Sequence, residues 1–191
     1  DDEHFIAVNK SGDIPVHPSG VYFSNTLLSV LEKDYGSKLY MIHRLDRETS
    51  GIILFAKSSE AARRFQNSLE NAQKTYTAIV HGCTPESFKC DLPIGDAYAE
   101  TDCRTDIVRK KRRAFKGAPE SAETLFSRII CFNGFSLIKA MPQTGRLHQI
   151  RVHLRAMNFP IVGDKIYGLN ERLFLKFIEG GMTADLLDKL L

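Results

Sequence analysis

His43-Arg44-Leu45-Asp46-Arg47-Glu48-Thr49-Ser50-Gly51 lies between two apolar segments, Leu39 to Ile42 and Ile52 to Ala56. Both flanks have the length and residue types of strands, so the nine-residue stretch reads as a loop carried between two strands. The loop is dense in chemistry. Asp46 sits between Arg44 and Arg47, and a guanidinium close to a carboxylate favours its ionised form. Loops held by a rigid scaffold commonly carry function. Asp46 is therefore the first candidate for a catalytic residue. The competing reading is a structural Asp–Arg network that pins the loop.

Working outward, His4 to Asn9 reads as a short strand and Lys10 to Ser24, with two glycines and two prolines, as an ordered loop. His17 within it could touch a ligand, and an ordinary loop histidine is the plainer reading. Asn25 is placed to cap a helix running to Asp34, with Leu27, Leu28 and Leu31 on one face and Gly36 as the stop. Ser58 or Ser59 caps a second helix to about Asn71, whose apolar face is Ala62, Phe65 and Leu69. Lys74 to Val80 reads as a strand. From Gly82 to Ser121 the pattern is weak, with short strands expected at Phe88–Leu92 and Thr105–Val108. Glu123 to Phe132 and Phe135 to Ala140 read as two strands, and Asn133-Gly134 between them tolerates the positive φ angles of a type I′ hairpin turn. A helix is expected from about Arg146 to Met157. Its apolar face is Leu147, Ile150, Leu154 and Met157, and its cationic face is His148, Arg151 and Arg155. Leu173 to Ile178 has no clear type, and a last amphipathic helix follows Thr183. No repeat or long linker divides the chain. The expectation is one α+β domain over residues 1–191, with a mixed, largely antiparallel sheet flanked by helices.

Composition narrows the class. A formal net charge of +3 does not by itself mark a nucleic-acid binder, but the positive charge is concentrated. Arg109-Lys110-Lys111-Arg112-Arg113 is one block, and Arg146, Arg151 and Arg155 form another. Either could neutralise phosphates, and a solvated loop is the plainer reading of the first. The four cysteines, Cys83, Cys90, Cys103 and Cys131, form no C-x-x-C pair and have no histidines at zinc-site spacing. With no secretory signal they are expected to be reduced thiols of a cytoplasmic protein. No apolar run approaches the roughly 20 residues of a membrane span. The chain has neither an initiator methionine nor a signal peptide, and we expect it to begin inside a longer gene product.

The central stretch excludes several chemistries. Leu45 interrupts the His-Arg-Asp of protein kinases, and no Gly-rich nucleotide loop precedes it. A glycosidase needs a second carboxylate about 5 Å from the first, and no convincing partner for Asp46 is present. An aspartyl-phosphate phosphatase wants the long apolar strand before its carboxylate, whereas here it follows. The acids of the motif lie among arginines rather than histidines at metal-ligand spacing. A lone carboxylate amid arginines points to nucleophilic chemistry by Asp, and the basic segments point to an anionic polymer. Enzymes that act on a base draw it out of the stack, and a long cation such as Arg44 could take its place.

At this point the motifs, taken together, resemble those of the pseudouridine synthases of the RluA type. His43 to Gly51 is similar to that family's central signature. Phe5-Ile6-Ala7-Val8-Asn9-Lys10 with Pro15-Val16-His17-Pro18 is similar to its opening strand and loop. Lys74-Thr75-Tyr76-Thr77-Ala78, Ala122-Glu123-Thr124, Thr144 to His153, and Gly163-Asp164 with Tyr167-Gly168 follow in the family's order. The resemblance implies that Asp46 starts cleavage of the N-glycosidic bond of a uridine in structured ribosomal or transfer RNA. It implies that Tyr76 stacks on the uracil and that Arg146 pairs with Asp46, the three being the catalytic set. Arg44 would fill the gap left by the flipped nucleotide. Arg47, Lys110, Lys111, Arg112, Arg113, His148 and Arg151 are the expected RNA-binding residues, with His148, Gln149 and Arg151 structural or positioning rather than chemical. No metal or organic cofactor, no membrane and a monomer are expected. Two departures are visible: Leu147 stands where the family often has Thr, and Lys10 is followed by Ser11-Gly12 without a proline. An S4-type RNA-binding domain, which many relatives carry, is not expected in this chain.

Overall fold

A computed structural model describes residues 1–18, 25–69, 72–97, 111–170, 173, 176 and 180–190. The expected strand at Thr105–Val108, and also Lys110 and Cys103, lie outside the described residues. The chain divides into two compact units, residues 1–72 and 73–191.

Among its described residues the first unit has a three-stranded antiparallel sheet and two helices. Its strands β1 (Phe5–Lys10), β2 (Tyr40–Met41) and β3 (Gly51–Ala56) are ordered β1-β3-β2. The β1–β3 register sets Lys10 opposite Gly51, at the mouth of the central loop. Helix α1 spans Leu27–Tyr35, and its N-cap is Thr26 rather than Asn25: the buried Thr26 hydroxyl accepts from the Ser29 N–H. The Leu27 and Leu28 amides donate to the carbonyls of Pro15 and Val16, which ties the Pro15-Val16 loop to the helix start. Gly36 ends the helix at φ 66°, a conformation glycine adopts without steric cost. Helix α2 (Ser59–Leu69) has Ser58 Oγ as acceptor for the Ala61 amide. It lays Ala61, Ala62, Phe65 and Leu69 on Phe5, Tyr40, Ile42, Leu54 and Ala56.

Among its described residues the second unit has a four-stranded antiparallel sheet ordered β4-β9-β8-β5, plus a β6-β7 pair. The strands are β4 (Tyr76–His81), β5 (Ser87–Cys90), β6 (Ile94–Asp96), β7 (Arg112–Ala114), β8 (Thr124–Phe132) and β9 (Phe135–Pro142). All pairings among these strands are antiparallel, so the α+β expectation holds. Asn133 and Gly134 turn the β8–β9 hairpin at φ 47° and 82°. Helix α3 (Gln149–Ala156) covers the sheet: Leu154 joins Val80, Cys90, Phe126, Ile138 and Ala140 in the core, with Ile150 and Met157 packed against it. On another side Val152 meets Ile94, Ala122 and Tyr167. A short helix α4 (Ala184–Asp188), capped by Thr183, buries Leu186 with Leu173 and Leu190.

Three expectations are corrected. Helix α3 begins at Gln149, not Arg146, and His148 at its start lies at φ 58°, so His148 does not share a helical face with Arg151 and Arg155. The solvated-loop alternative for the basic block does not hold at Arg112 and Arg113, which belong to β7, paired with Asp96 and Gly95. Cys83 and Cys131 form a disulfide, with Cα atoms 5.6 Å apart, rather than standing as reduced thiols. They are 48 residues apart in sequence, and only the folding of β8 back on the sheet brings them together. Cys90 is a free, buried thiol, and burial pushes its pKa up.

Candidate functional site

The central loop is held by β1. Lys10 is buried at the strand's end, on the same face as Ile6. Its ammonium donates to the carbonyls of Ser11 (2.6 Å), Ile14 (3.0 Å) and Arg47 (2.8 Å). One side chain thus joins the loop after β1 to the loop that carries Asp46. Burial lowers the Lys10 pKa, against the opposing pull of the Asp13 and Asp46 charges. Sequence reading missed Lys10 as a site residue. Its signal was present, because the two-residue period of β1 puts Lys10 on the face that buries Ile6.

The loop is further fixed from within. Leu45 is buried, and the Asp46 carbonyl accepts from the Thr49 amide at 3.0 Å, closing a turn around the half-buried Asp46. His43 Nε2 accepts from the Leu54 N–H at 3.1 Å, which commits this ring nitrogen to β3. Arg47 is exposed, and its Nε reaches the Asp13 carbonyl at 3.3 Å. Gly12 passes so close that a Cβ there would lie 3.2 Å from the Glu48 carbonyl oxygen. The result is a carboxylate on a backbone that has few ways to move, with Arg44 exposed beside it.

In the second unit Tyr76 opens β4 opposite Ala140 and packs, half-buried, against the sheet core. Arg146 lies in the turn between β9 and α3. Its backbone N–H donates to Gln149 Oε1 at 3.0 Å, and its Nε donates to the Ser121 carbonyl at 3.0 Å. Among the described residues its Nη1 and Nη2 have no hydrogen bond, so its fork remains available for a planar anion.

Gln149 anchors a buried polar chain whose donors and acceptors can be followed in order. Gln149 Oε1 accepts from Thr144 Oγ1 (2.7 Å) and the Arg146 amide; Nε2 donates to the Glu123 carbonyl and to Thr124 Oγ1, both at 2.9 Å. Thr124 Oγ1 then lies 2.9 Å from His153 Nδ1, while His153 Nε2 meets the Leu92 carbonyl at 2.9 Å. A carbonyl can only accept, so Nε2 carries the proton and Nδ1 accepts from Thr124. Burial lowers the His153 pKa despite the Leu92 hydrogen bond and the Asp91 charge.

Several expected RNA-binding residues have other occupations. Arg151 makes a two-pronged ion pair with Asp164, Nε–Oδ2 2.7 Å and Nη2–Oδ1 2.8 Å, over the Tyr167 ring. Burial pushes the Asp164 carboxyl upward, but the Arg151 hydrogen bonds and charge, with the Tyr167 and Ile166 amides, outweigh it and leave the pKa lowered. Asp164 Oδ1 accepts from those two amides, and a Cβ at Gly168 would lie 2.3 Å from the Asp164 carbonyl oxygen. This explains the Gly163-Asp164…Tyr167-Gly168 spacing as a carboxylate-centred turn. His148 Nδ1 lies 2.8 Å from the Tyr167 hydroxyl, and that hydroxyl accepts from the Arg112 amide at 3.0 Å. The Arg112 guanidinium is held between Asp96 and Glu120. Lys111 is half-buried and Arg113 exposed.

Residues 4–156 match the sequence profile of the RNA pseudouridylate synthase family, and the chain belongs to that family. It is 37% identical over 172 residues to pseudouridylate synthase RPUSD2 of Homo sapiens, covering 87% of this chain and 30% of that protein. It is 35% identical over 182 residues to tRNA pseudouridine synthase C of Pasteurella multocida, covering 87% of this chain and 72% of that one. The solved structure of human RNA pseudouridylate synthase domain containing 1 shares the fold, with a TM-score of 0.71 at 24% identity over 90% of this chain and 69% of that one. This chain therefore spans less than a third of the length of the human RPUSD2 relative.

Proposed function

We propose that this chain converts uridine to pseudouridine in structured RNA, with Asp46 as the catalytic carboxylate. The observation that carries the proposal is the locked loop: Lys10 fixes the backbone on which Asp46 stands, within a sequence that matches the family from residue 4 to 156. Preorganised charge is the largest single contribution an active site commonly makes. The reaction breaks the bond from uracil N1 to ribose C1′ and forms one from C5 to C1′. The C5 proton is lost and N1 ends protonated, so substrate and product are isomers. Asp46 starts the cleavage, and no redox partner or co-substrate enters the balance.

The remaining residues take roles their settings favour. Tyr76 presents an aromatic face for stacking on the detached base, and such stacking does not depend on base identity. Arg146, whose Nη1 and Nη2 have no hydrogen bond among the described residues, is the cation of the catalytic set. Arg44, exposed beside Asp46, occupies the space left by the flipped nucleotide. Arg47, Lys111 and Arg113 contact phosphate. The name of the Pasteurella multocida relative favours transfer RNA among the substrates to be tried first, with ribosomal RNA next.

The test is release of tritium from RNA labelled at uridine C5, with transfer and ribosomal RNA as separate substrates. Wild-type protein releases label and Asp46→Asn releases none, while RNA affinity changes by no more than a few-fold. Full turnover by Asp46→Asn would refute the assignment. Undiminished RNA binding with no release by the wild type would instead make the chain a silent binding module.

A further inference from the structure

The basic block and the turn carrying Arg146 are joined by a path that the proposed chemistry does not require. Arg112, on β7, has Nη1 2.9 Å from Asp96 Oδ1 and Nη2 on Glu120 Oε1. Its side chain is largely buried, and among the described residues its Nε has no hydrogen-bond partner. Glu120 is itself anchored by its backbone, which exchanges two hydrogen bonds with the fully buried Ile94, at 2.8 and 3.1 Å. The other Glu120 oxygen, Oε2, lies 4.0 Å from Arg146 Nε, beside the Ser121 carbonyl that accepts from this Nε. Glu120 and Ser121 thus present a carboxylate and a carbonyl to one edge of Arg146. A second link runs from the Arg112 amide to the Tyr167 hydroxyl and on to His148 Nδ1, at the opposite end of the same turn.

We propose that Arg112 and Glu120 are positioning residues for Arg146, with Arg112 holding Glu120 so that its carboxylate and the Ser121 carbonyl fix the Nε edge of the Arg146 guanidinium. The inference rests on the proposed role of Arg146 in uridine isomerisation. It removes Arg112 from the phosphate-binding set and gives it a different task. The pair between Glu120 and Arg146 is partly exposed, and such pairs add little to stability. Its effect is on aim: a catalytic group displaced by about 1 Å can cost up to about 100-fold in rate.

Two variants, the isosteric Glu120→Gln and the charge-removing Arg112→Gln, separate the possibilities. Each is expected to lower the single-turnover rate of tritium release about 10-fold, as misaim predicts. RNA affinity and its salt dependence stay as in the wild type, because no phosphate contact is lost. The double variant is expected to be about as slow as either single one, since both act along one path. A lower salt slope in Arg112→Gln with an unchanged rate would overturn the proposal and make Arg112 a phosphate contact. Unchanged rates in both variants would overturn it too. A readout without RNA decides the tether separately: the Arg146 Nε–Hε NMR signal, identified by its loss in Arg146→Lys, should exchange with water faster in Glu120→Gln. Unaltered exchange refutes the tether. Faster exchange in a protein whose wild type releases no tritium sustains the tether and refutes the isomerase reading.

Discussion

Replacing Gln149 by leucine should be among the most damaging single changes in the second unit. The side chain is 4% exposed and makes four hydrogen bonds: two accepted, from Thr144 and the Arg146 amide, and two donated, to Glu123 and Thr124. Each bond contributes about 1 kcal/mol net, and buried partners left without one cost at least as much. Leucine recovers about 1 kcal/mol through apolar burial. The net loss is then about 3 kcal/mol, which in a chain of this size lowers Tm by roughly 6–12 °C. Gln149→Glu sharpens the argument because it preserves shape. It removes the Nε2 donor and sets a carboxylate oxygen against the Glu123 carbonyl and Thr124 Oγ1, so it should destabilise as much as leucine or more. Urea unfolding and calorimetry measure both variants, and tritium release reports the freed Arg146 backbone. A loss below about 1 kcal/mol for either variant would refute the network as a stabilising unit.

Other expectations concern buried titratable groups. His153 has a folded-state pKa below its ordinary 6.5, so its contribution to stability is complete above that pH. As pH falls below 6.5 the unfolded chain takes up more protons than the folded one, and stability declines toward the folded pKa by at most about 1.4 kcal/mol per pH unit. Protonation of Nδ1 would also set a donor against the Thr124 hydroxyl. His81 is likewise lowered by burial, so the difference between wild type and His153→Gln isolates His153; parallel stability curves between pH 7 and 5 would contradict the assignment. Lys10→Met should cost about 2 kcal/mol by stranding the three carbonyls its ammonium serves, measured as a lower urea midpoint; an unchanged midpoint would show that water replaces the ammonium without loss.

Much of the fold is legible because it is encoded locally. A continuous apolar run marked β3, β-forming residue types marked β4, and Asn133-Gly134 marked the hairpin between β8 and β9, since positive φ at both residues is a short-range requirement. Gly36 marked the end of α1 for the same reason. The start of α3 was misread because Arg146-Leu147-His148 has acceptable helix propensity. Two contacts oppose helix there, one local and one tertiary: Gln149 Oε1 takes the Arg146 amide three residues back, and His148 adopts a left-handed conformation with its ring on Tyr167, nineteen residues on.

The candidate site divides in the same way. Which residue types are present, their order and the family to which that order belongs are all local properties of the chain, because a catalytic motif is a contiguous piece of chemistry. They do not assign the cations. Arg112, Arg113, Arg146 and Arg151 are the same side chain, and their tasks differ only through what the fold places opposite them. Asp164 meets Arg151 with both oxygens, Glu120 and Asp96 enclose Arg112, and Ser121 takes one edge of Arg146. The bond from Lys10 to the Arg47 carbonyl and the Cys83–Cys131 pair were decided in the same manner, by contacts 37 and 48 residues apart in the chain. Charge and thiol chemistry depend on distances of a few ångströms between groups far apart in the chain, and only the tertiary structure sets those distances.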